Sequence, residues 1–312
     1  MTPKILVRIL VAAVLAVAWA LPALAAQVYP PWVGTPTDGK KFSLRGVNDL
    51  ADLHGDVVDP QLVVFFAGNQ FMVTHELMQA FQKKYPQYQR IYWETLPPGI
   101  EAQQIEQGAV IVGSLRIAHK PDVYTRGRGG LLRIQKEKGW FDRMEDYAGN
   151  RLAIMVYEGN PKGIKSLQDL GRDDIKVAMP NPKWEGIATP IEKAFRAAGG
   201  EDLVTRIMQT KLGAGTTWLT HMHHRQTPIS IMQKQSDCGP TWYTEPYFQA
   251  MIKNPIGMIE IPDQMNQFVT YTAAKMKDAP HAQAANDFLD FLISQEGQAI
   301  YRKYGFLPAA KK

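Results

Sequence analysis

The chain has 312 residues, of which 45% are apolar, with 35 Lys and Arg against 30 Asp and Glu, and a single cysteine. That much apolar material can build one large or two medium α/β domains. The mild positive balance, without Lys/Arg clusters interleaved with aromatics, gives no case for a nucleic-acid partner, and Cys238 standing alone excludes an internal disulfide.

Lys4 and Arg8 precede an apolar run over 9–21, and Ala23 and Ala25 supply the small residues of a signal-peptidase site. The expectation is a signal peptide over 1–25, cleavage near Ala26 and export. No cysteine follows the run, as a lipoprotein anchor would require, and no later stretch is long and apolar enough to span a bilayer.

Residues 27–59 are rich in Pro, Gly and Asp and read as an irregular surface lead-in. Asp49, Asp52, His54, Asp56 and Asp59 match no calcium-loop or zinc spacing, so they read as a solvated acidic turn. Next comes LVVFF over 62–66, an unbroken apolar run suited to a strand buried on both faces. Ala67-Gly68-Asn69-Gln70 breaks it. Leu77, Met78, Phe81 and Tyr85 then fall at helical spacing, with Glu76 early and Lys83-Lys84 late, as the helix dipole favours. In open α/β sheets ligands bind beyond the carboxyl ends of strands, where helix N-termini offer unpaired N–H groups. Gly68, Asn69 and Gln70 are therefore the first candidate ligand residues.

The unit repeats. A strand over 90–93 leads through Thr95-Leu96-Pro97-Pro98-Gly99 to a helix carrying Ile100 and Ile105, and Val110-Ile111-Val112 predicts a third strand ending at Gly113-Ser114. Residues 122–139 show little periodicity, so Arg126, Arg128 and Arg133 read as solvated surface. Arg126-Gly127-Arg128-Gly129-Gly130 follows no predicted strand and is set aside as a phosphate loop. Further strands are predicted over 152–156, 176–179, 237–243 and 268–273. Pro180 and Pro182 end the second of these. The helix through Ile187, Ile191 and Phe195 stops at Gly199-Gly200, Thr227-Pro228 opens a short helix, and Pro280 and Ser294 begin the last two.

Three stretches carry a family resemblance: Tyr147-Ala148-Gly149-Asn150-Arg151-Leu152 leading into Asn160-Pro161-Lys162-Gly163, the Asp237-Cys238-Gly239 turn before Trp242, and Phe288-Leu289-Asp290-Phe291-Leu292 continuing to Tyr304-Gly305-Phe306. Over most of 60–308 the chain resembles periplasmic substrate-binding proteins of ABC transporters, most of all the molybdate-binding type. The resemblance implies an α/β, two-lobed periplasmic-binding-protein type 2 fold, each lobe a mostly parallel sheet flanked by helices, with a ligand cleft between them. The implied lobes are 26–153 with 265–312, and 154–264. It also implies a periplasmic monomer without cofactor that captures a small anion, either an oxyanion of the molybdate, tungstate or sulfate kind or a small organic anion, for a membrane permease. Carried over by position, the ligand residues are Gly68, Asn69 and Gln70; Pro98 and Gly99; Trp184, Glu185 and Gly186; His224 and Arg225; and Trp242 and Tyr243. The molybdate type places small hydroxyl residues in the first two loops. This chain has amides in one and prolines in the other, which leaves the anion open.

Other readings compete. His221, His223 and His224 with Met222 could bind copper, nickel or zinc, but the spacing fits no standard zinc site. Tyr243, Tyr247 and Glu245 resemble the ferric sites of distant relatives only in residue type. A sensory or accessory binding protein of the same fold differs in its partners alone. No nucleophile elbow, Walker loop or HExxH motif is present, and Cys238 lacks His and Asn partners, so catalysis is not expected.

Overall fold

The computed structural model describes residues 41–42, 52–112, 115–183, 185–220 and 224–309. The expected signal peptide, Asp49, Gly113-Ser114, Trp184 and His221 to His223 lie outside these described residues. In chain order the first half comprises β1 (Lys41–Phe42), β2 (Leu53–Gly55), β3 (Leu62–Phe65), α1 (Phe71–Lys84), β4 (Ile91–Glu94), α2 (Pro98–Gln107), β5 (Val110–Val112), β6 (Leu115–Ile117), β7 (Val123–Gly127), α3 (Arg128–Lys138) and β8 (Phe141–Tyr157). The second adds β9 (Val177–Met179), α4 (Ala188–Thr205), β10 (Thr217–Leu219), α5 (Thr227–Met232), β11 (Cys238–Trp242), α6 (Thr244–Met251), β12 (Ile256–Glu260), β13 (Phe268–Met276), α7 (Ala282–Ile293) and α8 (Gln295–Lys303).

The LVVFF run does what its composition demands. Leu62, Val64 and Phe66 pack on one side against Leu77 and Phe81 of α1 and Phe288 of α7. Val63 and Phe65 enter a second cluster on the other side with Tyr92 and Leu131. Successive side chains of a strand point to opposite faces, so a strand covered twice must be apolar throughout. β3 pairs in parallel with β4 and with β7, and its carboxyl end delivers the turn Gly68–Gln70 directly into α1.

β8 joins the halves. Its first part, up to Arg151, runs antiparallel to β13, and from Leu152 onward it pairs with β11 and β12 instead. Leu152, Ile154 and Val156 accordingly pack in a separate cluster with Ile191 and Phe195 of α4. The sheet order is β1-β2-β4-β3-β7-β13-β8-β11-β9-β10, with β12 on β8. The clusters on the two faces of the first half and the core of the second thus share one sheet through β8.

Three expectations change. The lead-in is not wholly irregular, because β2 pairs antiparallel with β4, and Asp52 is fully buried rather than solvated. Val110–Val112 does not enter the main sheet but closes a hairpin with β6. The place next to β3 goes to β7, inside the segment read as surface. Periodicity failed there because α3 buries only Leu131 and Ile134, too few apolar positions to register as a face. The helix through Ile187, Ile191 and Phe195 does end at Gly199-Gly200, as expected: the backbone there is non-helical, Gly200 taking φ +68°, a left-handed value that glycine adopts without strain, and helical structure resumes only beyond it, to Thr205.

Candidate functional site

Strand ends and helix starts from both halves meet around a cavity of about 1300 Å³. Three helices present their first residues to it: α2 through Pro98 and Gly99, α3 through Gly129 and Gly130, and α4 through Gly186 and Ile187 just before it. Unpaired N–H groups and the positive ends of the helix dipoles gather there. Pro97 is the N-cap of α2 and Pro98 its first residue, a position where a missing N–H removes nothing the helix needs. The prolines that looked like lost donors are thus a helix start, with the Ile100 N–H already bound to the Pro97 carbonyl at 2.8 Å.

Of the residues singled out in the sequence, Asn69, Pro98, Gly99, Glu185, Gly186 and Trp242 line the cavity. Asn69 donates from Nδ2 to the Tyr271 hydroxyl, and Tyr271, itself on the cavity wall, is held neutral because burial pushes its pKa up. Trp242 is 8% exposed and belongs to the second core as much as to the wall. The Glu185 carboxylate turns away, accepting from the Asn181 N–H at 3.0 Å and from the Thr220 hydroxyl. It braces the loop, and the backbone of Gly186 is what the cavity meets.

Gly68, Gln70, Tyr243 and Arg225 are placed elsewhere. Gly68 lies where a Cβ would come within 2.6 Å of the Thr95 carbonyl oxygen, so no larger residue fits. Gln70 is fully buried, and its Oε1 accepts from the hydroxyls of Tyr147 and Tyr301, each at 2.9 Å. Tyr243 stacks on Tyr247 with the Arg151 guanidinium 4.5 Å from its ring centre. Arg225 is buried between the halves, donating to the Thr95 carbonyl at 2.9 Å and pairing with Asp52 at 3.2 Å over the Phe71 ring. His224 opens the turn His224–Gln226, and its side chain lies outside the described part. Among the described residues no group of three or more His, Cys, Asp or Glu is arranged to hold a metal ion.

Four cations line the cavity that sequence reasoning did not place there: Arg126, Arg133, Lys183 and Lys193. Arg126, one residue before the end of β7, lies across the start of α3, where a Cβ on Gly130 would come within 2.6 Å of its Nε. Glycine at 130 is what lets this guanidinium lie flat on the helix. Arg128, between them, is turned out to Asp146. The signal that could have found Arg126 and Arg133 is the glycine pair after a short strand, which the segment's sparse apolar pattern concealed.

Beneath this wall lie buried carboxyls. Glu94 accepts from the Tyr92 hydroxyl and from Gln104 Nε2, both at 2.7 Å, and burial pushes its pKa up to about 7. Glu101, in the first turn of α2, is raised well above the usual carboxylate range by burial and then by the charge of Glu94. Cys238 is buried, and burial followed by Asp237 pushes its thiol far up, so it offers no accessible thiolate.

The family model of the bacterial extracellular solute-binding proteins matches residues 62–307, and the chain belongs to that family. Among its relatives, the thiosulfate-binding protein of Escherichia coli is 24% identical over 216 residues, 59% of this chain and 60% of that protein. The sulfate-binding protein of Synechococcus elongatus is 22% identical over 218 residues, 62% of this chain and 56% of that protein. The chain thus spans less than two thirds of the length of these relatives. Among solved structures, the sulfate-binding protein of Mycobacterium tuberculosis superposes with a TM-score of 0.64 at 18% identity, covering 79% of this chain and 86% of that one. The periplasmic molybdate-binding protein of Azotobacter vinelandii gives 0.62 at 16% identity, covering 80% of this chain and all of the other. These likenesses establish the two-lobed type 2 periplasmic-binding-protein fold.

Proposed function

We propose that the protein is an extracytoplasmic solute-binding protein that captures a small anion in the cleft and delivers it to the membrane permease of an ABC transporter. One observation carries this reading. Among the described residues the cavity collects Arg126, Arg133, Lys183 and Lys193 against a single carboxylate, Glu185, which is committed to its own loop. Cations facing one another across a cleft with helix N-termini between them favour an anion and disfavour a cation. The named thiosulfate-, sulfate- and molybdate-binding proteins support the same class of ligand. In this reading the lobes are 26–153 with 265–312, and 154–264, they close on the bound anion, and the permease recognises the closed form in the periplasm.

The test is a melting-curve panel of sulfate, thiosulfate, molybdate, small carboxylates and divalent metals. An anion at 100 times its Kd raises stability by about 2.7 kcal/mol. Arg126→Gln removes a charge-assisted donor and weakens the responding anion by about 1.5–3 kcal/mol, tenfold or more. A response to metals with none to anions overturns the assignment in favour of the histidine cluster.

A further inference from the structure

The cleft has a charged part and an apolar part, and they adjoin. Six large apolar side chains are well exposed among the described residues, and of these only Phe268 lines the cavity, with 56% of its surface open. It begins β13, followed by Val269, which also lines the wall. Register sets this pair beside the cations: Gly127 at the end of β7 is opposite Tyr271, so Phe268 and Val269 run on just beyond the strand end from which Arg126 and α3 depart. Pro97, Pro98, Pro182 and Pro190 complete much of the remaining wall and offer no N–H at all.

Such a surface does not suit a bare oxyanion. Every oxygen of a tetrahedral anion calls for a donor, whereas the face of a phenyl ring is electron-rich and repels negative charge. The same face packs well against a flat apolar group in an offset stack. Resting on the anion-binding reading above, we propose that the ligand is an organic anion with a flat apolar body. Its carboxylate, sulfonate or phosphonate head is held by Arg126, just before α3, and by Arg133 in the second turn of that helix, and its body lies against Phe268.

Matched pairs test this by titration calorimetry on the purified protein: sulfate against benzenesulfonate, and inorganic phosphate against phenyl phosphate. The aryl member of each pair is expected to bind at least tenfold more tightly. Phe268→Ala should abolish that preference while leaving the inorganic ion unchanged, Phe268→Trp should keep it, and Arg126→Gln should weaken both members. Melting curves of the free variants establish that each is folded. Inorganic ions that bind as tightly as their aryl partners, with Phe268→Ala without effect on either, overturn the inference and leave the anion-binding reading intact. Binding of neither member of either pair, with no response in the anion melting panel, overturns both.

Discussion

Arg126 and Arg225 both stand in short polar segments of the sequence, and the structure gives them opposite surroundings. Arg225 is enclosed between the lobes on Asp52, the Thr95 carbonyl and the Phe71 ring, so its charge is spent inside the protein. Arg126 lies over Gly130 on the cavity wall, available to a ligand. Glu101 interacts electrostatically with both, and Glu94 with Asp52, so the two arginines flank one patch of buried carboxyls. The difference teaches that an arginine near a cleft can serve a ligand only where its guanidinium stays on the cavity wall, as that of Arg126 does, whereas Asp52 and the Thr95 carbonyl enclose that of Arg225.

The comparison can be broken at several points. The largest effect is expected from Arg225→Ala, since removing one partner of a buried ion pair costs about 3–5 kcal/mol. Denaturant unfolding measures it, and a loss no greater than that of Arg128→Ala, whose guanidinium is part-exposed, would show that Arg225 is not a structural strut. Next comes Glu94. Its folded pKa of about 7 lies above the ordinary 4.5, so the native state holds an extra proton between those values. The associated stability is complete below pH 4.5 and is lost as pH rises through 7, by about 3 kcal/mol at most. Glu94→Gln should flatten that decline, and unfolding curves from pH 4 to 8 that stay equally steep in the variant would assign the titration elsewhere. The smallest effect is the most specific to Arg126. Gly130→Ala should stabilise α3 by about 0.5–1 kcal/mol while displacing the guanidinium, so the melting temperature rises slightly and anion affinity falls. Affinity that is unchanged in this variant would mean that the placement of Arg126 does not matter to the ligand.

Much of the fold was legible because its signals are local. The LVVFF strand, the apolar faces of α1 and α7, the Pro98 start of α2 and the Ser294 cap of α8, which accepts from the Gly297 N–H at 3.3 Å, each follow from a few neighbouring residues. The strand β7 and the helix α3 were missed because β7 offers only the short buried run Val123-Tyr124-Thr125 and α3 buries only Leu131 and Ile134, and with them went Arg126 and Arg133. Gln70 was misjudged for a related reason. Its amide sits in a ligand-loop position by sequence, yet Tyr147 and Tyr301, 77 and 231 residues away, claim its oxygen.

By itself the sequence determined the α/β alternation, the family resemblance and which loops reach the carboxyl ends of the strands, because periodicity and turn chemistry act over a few residues. Tertiary structure alone decided which polar groups remain for a ligand. That depends on partners brought together from distant segments, as Asp52 meets Arg225 and Tyr271 meets Asn69. It also decided that Phe268 stays open in the cleft that Arg126 lines, because the pairing of β13 with β7 brings an exposed apolar surface and a cavity-wall charge together.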